Sequence, residues 1–176
     1  MAKVKVASAW LDACAGCHMS LLDVDEVIID LANVLEFTAT PITDVKEFPE
    51  VTLGIIEGAI GNEHDEHVAR DLRAKCKILM VLGDCACYGG IVGMRNLFST
   101  EDILYRYYHT ESTTGDIIPG SEDLPPLTKV RSINEVVKVD CFVPGCPPSA
   151  KAIHYAISEL LEGRIPVIPS EIMRFD

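Results

Sequence analysis

The sequence predicts an α/β fold, a flavodoxin-like doubly wound parallel sheet of strand order 2-1-3-4-5 with a loop-rich insertion. Three observations predict it. Short β-branched apolar runs recur along the chain, segments of helical periodicity separate them, and glycines and prolines mark the joins. Strands that alternate with helices pair in parallel, because each connection must cross the sheet, and such crossovers are right-handed.

Residues 3–11 alternate and then turn apolar, which predicts the first strand. Residues 20–34 read as a helix with Leu21, Val24, Ile28, Leu31 and Leu35 as its stripe, Ser20 as a possible cap and Asp23 in the first turn. Residues 35–40 form a weaker strand ended by Pro41, and residues 51–57 a buried one. Residues 62–75 read as a helix whose acidic start (Glu63, Asp65, Glu66) and basic end (Arg70, Arg73, Lys75) suit the helix dipole.

Residues 78–82 supply the fourth strand and residues 137–142 the fifth, stopped by Pro144. The last helix spans residues 149–162, with Ile153, Ala156, Ile157, Leu160 and Leu161 inward and Gly163 as its stop. The insertion covers residues 97–136. It carries Tyr105, Tyr107 and Tyr108 after an acidic turn, then Pro119, Gly120, Pro125 and Pro126. It reads either as a docking surface or as a solvated loop with a short helix.

A chain of 176 residues, 48% hydrophobic and 24% charged, is large enough for one substantial core, which predicts a single domain over residues 1–176. Its net charge of -12, from 27 acidic and 15 basic residues, repels phosphate backbones and anionic membranes, so no nucleic acid partner is expected. No stretch approaches the roughly 20 apolar residues of a spanning helix, so no membrane insertion is expected. The start, from Met1 and Ala2 onward, runs straight into the first strand without an export or twin-arginine signal, which predicts a cytoplasmic protein. Seven cysteines in such a chain point to metal binding or redox work instead of disulfides.

Ligands of open parallel sheets bind beyond the carboxyl ends of the strands. Three cysteine motifs fall there: Cys14-Ala15-Gly16-Cys17, Gly83-Asp84-Cys85, and Pro144-Gly145-Cys146-Pro147-Pro148. A [4Fe-4S] cube takes four thiolates, and a two-residue gap lets Cys14 and Cys17 reach two of its corners. Glycines 16, 83 and 145 let the backbone approach a bulky group, while prolines 147 and 148 fix a turn and then start a helix.

Other chemistries share these strings. A thioredoxin-like pair fits Trp10 before and a helix after the first motif, but leaves Cys85 and Cys146 unexplained. Zinc ribbons pair two CxxC knuckles, whereas here the other thiols arrive singly. Cys14-Ala15-Gly16-Cys17-His18 also spells a c-type haem attachment, normally made after export. His18 reads as a hydrogen-bonded surface or interface histidine, or as packing on the cysteine loop. Cys76, Cys87 and Cys141 read as small buried apolar groups. Cys87 stands two residues from Cys85, and residue chemistry does not choose between them.

Glu57, at a strand end, is suited either to tuning a cluster or relaying a proton, or to capping a loop amide. Neither a GxGxxG fingerprint nor a P-loop is present, so NAD is not expected on this chain. The fold class can hold FMN at its switch point, but FMN is not expected here.

Together with Gly89-Gly90 after Tyr88, and with Glu57-Gly58-Ala59-Ile60, the three motifs resemble the cluster domain of [NiFe] hydrogenase small subunits over nearly the whole chain. The resemblance implies Cys85 instead of Cys87. It thus implies that Cys14, Cys17, Cys85 and Cys146 bind iron in one proximal [4Fe-4S] cluster, and that a large subunit holds the NiFe centre. The quinone-reductase subunit of respiratory complex I shares the Gly-x-Cys and Gly-Cys-Pro-Pro parts, but typically begins with adjacent cysteines. Exported hydrogenase small subunits are longer, with a leader and ligands for two more clusters.

The short form ending at Asp176 is similar to cytoplasmic hydrogenases, above all the bidirectional NAD-reducing type. That similarity implies flavin/iron-sulfur diaphorase subunits as partners and a hydrogen:NAD oxidoreductase as the complex. Ala15 replaces the usual Thr of exported relatives, and His18-Met19 their Ser-Glu, so proton-path roles are not carried over to these positions. No doubled cysteine of the oxygen-tolerant kind is present in the first motif.

Overall fold

In the computed structural model the first strand, β1 (Val4–Trp10), runs into α1 (Gly16–Leu22) and α2 (Val27–Val34), then β2 (Leu35–Ala39) and β3 (Val51–Glu57). A short β4 (Ile60–Asn62) leads to α3 (Glu63–Lys75), β5 (Cys76–Leu82) and α4 (Gly83–Tyr88). The insertion follows with a 3-10 helix (Val92–Leu97), α5 (Thr100–Tyr105), a π turn and β6 (Leu127–Arg131). After a last 3-10 turn come β7 (Cys141–Val143) and α6 (Ala150–Leu161). The structure describes residues 3–173, except 44, 46, 112, 114, 116 and 121–123.

The main sheet has the order β2-β1-β3-β5-β7 with every pair parallel, which is 2-1-3-4-5 when its own strands are counted along the chain. Alternation along the strands builds two cores. Leu53, Ile55, Met80 and Leu82 face α1, α2 and α6, while Ile56, Leu79 and Val81 face α3 on the other side. Burying an isoleucine such as Ile55 or Ile56 fully stabilises the fold by roughly 1.5–3 kcal/mol each. The central strands are therefore rigid platforms, and their carboxyl ends form one rim.

Helix ends follow the side chains that satisfy them. Asn62 caps α3 by accepting from Asp65 N at 2.9 Å, and Ser149 caps α6 by accepting from Ala152 N at 3.1 Å. Helix α6 thus begins two residues after the prolines. It stops at Gly163, whose φ of 78° is a left-handed conformation that suits glycine.

Three sequence expectations need correction. The segment 20–34 is two helices, because Asp25 adopts φ 54° and interrupts the backbone ladder; Ser20 lies inside α1 and donates to Pro148 O at 2.6 Å instead of capping. Leu161 is exposed, since it falls one residue past the buried stripe of Ile153, Ala156, Ile157 and Leu160. The fifth strand is short, starting only at Cys141. Asp140 anchors it: its N–H donates to Leu79 O at 3.0 Å and its carboxylate accepts from Leu79 N at 2.9 Å.

The insertion is more regular than a loop. Its β6 pairs antiparallel with β4 in a second, two-stranded sheet, and Tyr105 and Tyr107 are exposed on the helical part. The expectations that rest on Met1, Ala2 and Asp176, and on the insertion at 112, 114, 116 and 121–123, lie outside the described residues. Among the described residues no helix is long and apolar enough to cross a membrane.

Candidate metal centre

The loop that carries Cys14 and Cys17 is tied down before it reaches them. Leu11 N donates to Glu57 O at 2.9 Å, and Asp12 and Ala59 exchange backbone hydrogen bonds at 3.1 and 3.0 Å. Arg95 adds a clamp from the far side, donating to Asp12 Oδ2 at 3.3 Å, Gly61 O at 2.6 Å and Thr128 O at 2.9 Å. Ala15 then takes a left-handed turn at φ 65° into α1, which has no capping side chain of its own. Glu57 supplies the cap from β3, accepting from Cys17 N at 3.1 Å and His18 N at 2.9 Å.

His18 also places Nδ1 2.6 Å from Glu57 Oε2. Burial alone would raise the Glu57 carboxyl, but the His18 ring and the amides of His18 and Cys17 outweigh it and hold the group below the usual carboxylate range. A carboxylate only accepts, so Nδ1 carries the proton. Trp10 covers the other side of the imidazole in an edge contact, ring centroids 5.7 Å apart.

Cys85 sits in the first turn of α4, entered through Gly83 at φ 83°. Cys146 follows Gly145 at φ 135° in the loop after β7. Cys14, Cys17, Cys85 and Cys146 all line one cavity of about 110 Å³ at the carboxyl rim, with Glu57 and Asp84 in its wall. Cys14 and Cys146 are exposed, Cys17 is buried and Cys85 lies between. Cys87 points away. Positions two apart on a helix do not share a face, so Cys87 is buried with Ala86, Leu79 and Val81 in the opposite core. Cys76 and Cys141 are buried as well.

Charge argues for a cationic guest in this cavity. Burial, then Glu57, then the three neighbouring thiols push the Cys17 thiol far up, because four thiolates beside a carboxylate repel one another. Burial also raises Cys85, partly offset by the amides of Val92 and Ile91. Iron bound by all four sulfurs would remove that penalty, and a [4Fe-4S] cluster uses this donor set. Room is made for it by absent side chains: a Cβ on Gly83 would lie 2.3 Å from Cys17 Sγ.

A single ion fits less well. Among the described residues no three His, Cys, Asp or Glu side chains gather tightly enough to hold one, and zinc would draw its sulfurs to about 2.3 Å. Larger hollows occur elsewhere, about 640 Å³ beside Met94 and Tyr107 and about 340 Å³ between Trp10 and Ile42, but neither gathers thiols. Sequence reasoning missed Arg95 as a clamp and Asp84 as a contact of the Cys146 loop. Asp84 was in view, inside the glycine-cysteine motif, but its partner lies 61 residues away.

The sequence profile of the NADH ubiquinone oxidoreductase, 20 Kd subunit, matches residues 14–160. A vhu subunit of the F420-non-reducing hydrogenase of Methanocaldococcus jannaschii is 43% identical over 173 residues, 97% of this chain and 60% of that protein. The NAD-reducing hydrogenase HoxS subunit delta of Cupriavidus necator is 37% identical over 180 residues, 99% of this chain and 86% of that protein. The chain therefore spans about three fifths of its methanogen relatives and most of the bacterial one. A crystal structure of an NAD+-reducing [NiFe]-hydrogenase in the H2-reduced state superposes with a TM-score of 0.95 at 36% identity, covering 99% of this chain and 100% of that one. The Ni-Fe-Se hydrogenase of Desulfomicrobium baculatum, at 18% identity and a TM-score of 0.58 over 97% of this chain and 69% of its own, shares the fold.

Proposed function

Since this chain belongs to the NADH ubiquinone oxidoreductase 20 Kd subunit family and is homologous to hydrogenase subunits, we propose that it is the electron-transfer small subunit of a cytoplasmic [NiFe] hydrogenase. In this reading it works as one iron-sulfur domain. The observation that carries it is the meeting of Cys14, Cys17, Cys85 and Cys146, from three strand ends, around one cavity.

In this reading those four thiolates hold one proximal [4Fe-4S] cluster, which when bound supplies one-electron transfer. The chain's own residues provide its setting. Gly83 and Gly145 let the backbone close on the cavity, and Glu57 fixes the Cys17 amide and the start of α1. Cys14 and Cys146, the exposed pair, mark the side that faces the partner. That partner is a large subunit holding the NiFe centre, and electrons pass on to flavin/iron-sulfur diaphorase subunits that reduce NAD(P). Neither FMN nor nickel is assigned to this chain.

Two other readings make different demands. A thioredoxin-like thiol oxidoreductase needs only Cys14 and Cys17, and leaves Cys85 and Cys146 at the same cavity without a role. A complex I-like adaptor without hydrogenase activity shares the family and the second and third cysteine motifs, and would have no nickel-containing partner.

The test is to purify the complex with each cysteine replaced by Ser, measuring iron and nickel and the EPR of the reduced protein. Loss of cluster signal from Cys14→Ser, Cys17→Ser, Cys85→Ser or Cys146→Ser, with Cys76→Ser, Cys87→Ser and Cys141→Ser retaining it, is expected. Iron lost from Cys87→Ser but kept in Cys85→Ser would overturn the ligand set. A cluster-loaded complex devoid of nickel would favour the adaptor.

A further inference from the structure

We infer that Asp84 is the positioning residue that sets Cys85 and Cys146 at their working separation, an inference that rests on the cluster reading above. The two cysteines arrive on different strands, and their loops share no sheet hydrogen bond beyond Leu82 and Val143. What joins them is a two-bond clasp. Asp84 N donates to Gly145 O at 2.9 Å, and Gly145 N donates to Asp84 Oδ1 at 2.7 Å. The residue before one candidate ligand is thereby locked to the residue before the other.

The clasp is specific in its chemistry. Gly145 at φ 135° turns both its carbonyl and its amide toward Asp84, and a Cβ there would lie 2.6 Å from Pro148 Cα. Gly83 at φ 83° brings α4 so close that a Cβ would lie 3.3 Å from Gly145 O. One bond of the clasp uses backbone alone and survives any substitution of Asp84 except proline. The other depends on a short side chain ending in an acceptor, which Asp and Asn supply and Ala does not. A charge-assisted acceptor also shortens and strengthens the bond to the Gly145 amide.

The experiment compares the full chain, co-expressed with its complex, as wild type, Asp84→Asn, Asp84→Ala and Asp84→Glu. Iron per chain, EPR g-values of the reduced protein and deuterium exchange at the Gly145 amide are read for each. Asp84→Asn is expected to keep wild-type iron and g-values with a protected Gly145 amide. Asp84→Ala is expected to lose at least half its iron, to broaden or shift its g-values and to expose that amide. Asp84→Glu, with its acceptor displaced by one methylene, serves if Asp84→Ala does not fold, and is expected to shift the g-values.

Wild-type iron and g-values in Asp84→Ala, or in Asp84→Glu when it alone folds, would overturn the inference. So would an Asp84→Asn protein as defective as Asp84→Ala, since charge and not the clasp would then be at work. A wild-type protein without an iron-sulfur signal fails the cluster reading itself, which separates the two.

Discussion

Glu57 closes the amino end of α1 from another element: its two carboxylate oxygens accept from Cys17 N, His18 N and His18 Nδ1 at 3.1, 2.9 and 2.6 Å. The residue is 1% exposed, so none of these donors can turn to water if the carboxylate goes.

Glu57→Leu should therefore destabilise the chain by about 3 kcal/mol or more, because three buried donors lose their acceptor at roughly 1–3 kcal/mol each. Glu57→Gln keeps one acceptor but turns an NH2 group toward donors, and should cost about 1–3 kcal/mol. Urea midpoints of the two variants against wild type check both values. Equal stability of Glu57→Leu and wild type would mean that the cap contributes nothing.

Thiol reactivity should sort the seven cysteines by place. Burial, with Asp84 beside Cys87 and Asp140 beside Cys141, pushes both thiols up to about 12. At pH 8 only about one in ten thousand such groups is a thiolate, the species that alkylates. In the iron-free chain, iodoacetamide should modify the exposed Cys14 and Cys146 first and leave Cys87 and Cys141 untouched until the protein unfolds. Mass spectrometry of digests over a time course reads the order.

These two cases show what was legible in the sequence. The β-branched runs gave away the central strands, and with them the rim on which the motifs fall, because a buried parallel strand must be apolar on both faces. The break at Asp25 left no such mark, since a left-handed non-glycine residue is decided by packing. Cys85 and Cys87 were equivalent as residue types. Their separation onto opposite sides of α4 exists only once Gly83 starts a helix there. The clamps formed by Arg95 and Asp84 join residues far apart in sequence, and periodicity cannot register such partners.

Gly83→Ala should damage the site more than the fold. The left-handed backbone costs a non-glycine residue roughly 1–2 kcal/mol, less than the roughly 5–15 kcal/mol that keeps a domain folded. Its Cβ would meet Cys17 Sγ at 2.3 Å, and that sulfur must swing out of the cavity to avoid it. Iron per chain should fall several-fold while the circular dichroism spectrum stays that of wild type. A variant with full iron content would show that the cavity tolerates the methyl group.

Asp140 should make the stability of the sheet edge depend on acid. Burial alone would raise its carboxyl, but the Leu79 amide and the Arg73 guanidinium, 2.9 and 2.5 Å from Oδ2, outweigh it and hold the group below the usual range. A carboxyl depressed in the folded chain stabilises it above the unfolded pKa of about 4, and that contribution is lost as pH falls through the lower folded value. Asp140→Asn should thus cost about 1–2 kcal/mol at pH 7, from weaker bonds to Leu79 and Arg73. The gap between variant and wild type should narrow steadily below pH 4. Since β7 leads directly to Cys146, iron retention at pH 7 should be lower in the variant than in wild type. Urea midpoints at pH 7 and pH 3 decide it: a gap that stays constant or widens toward acid would mean that Asp140 is not held ionised by these partners.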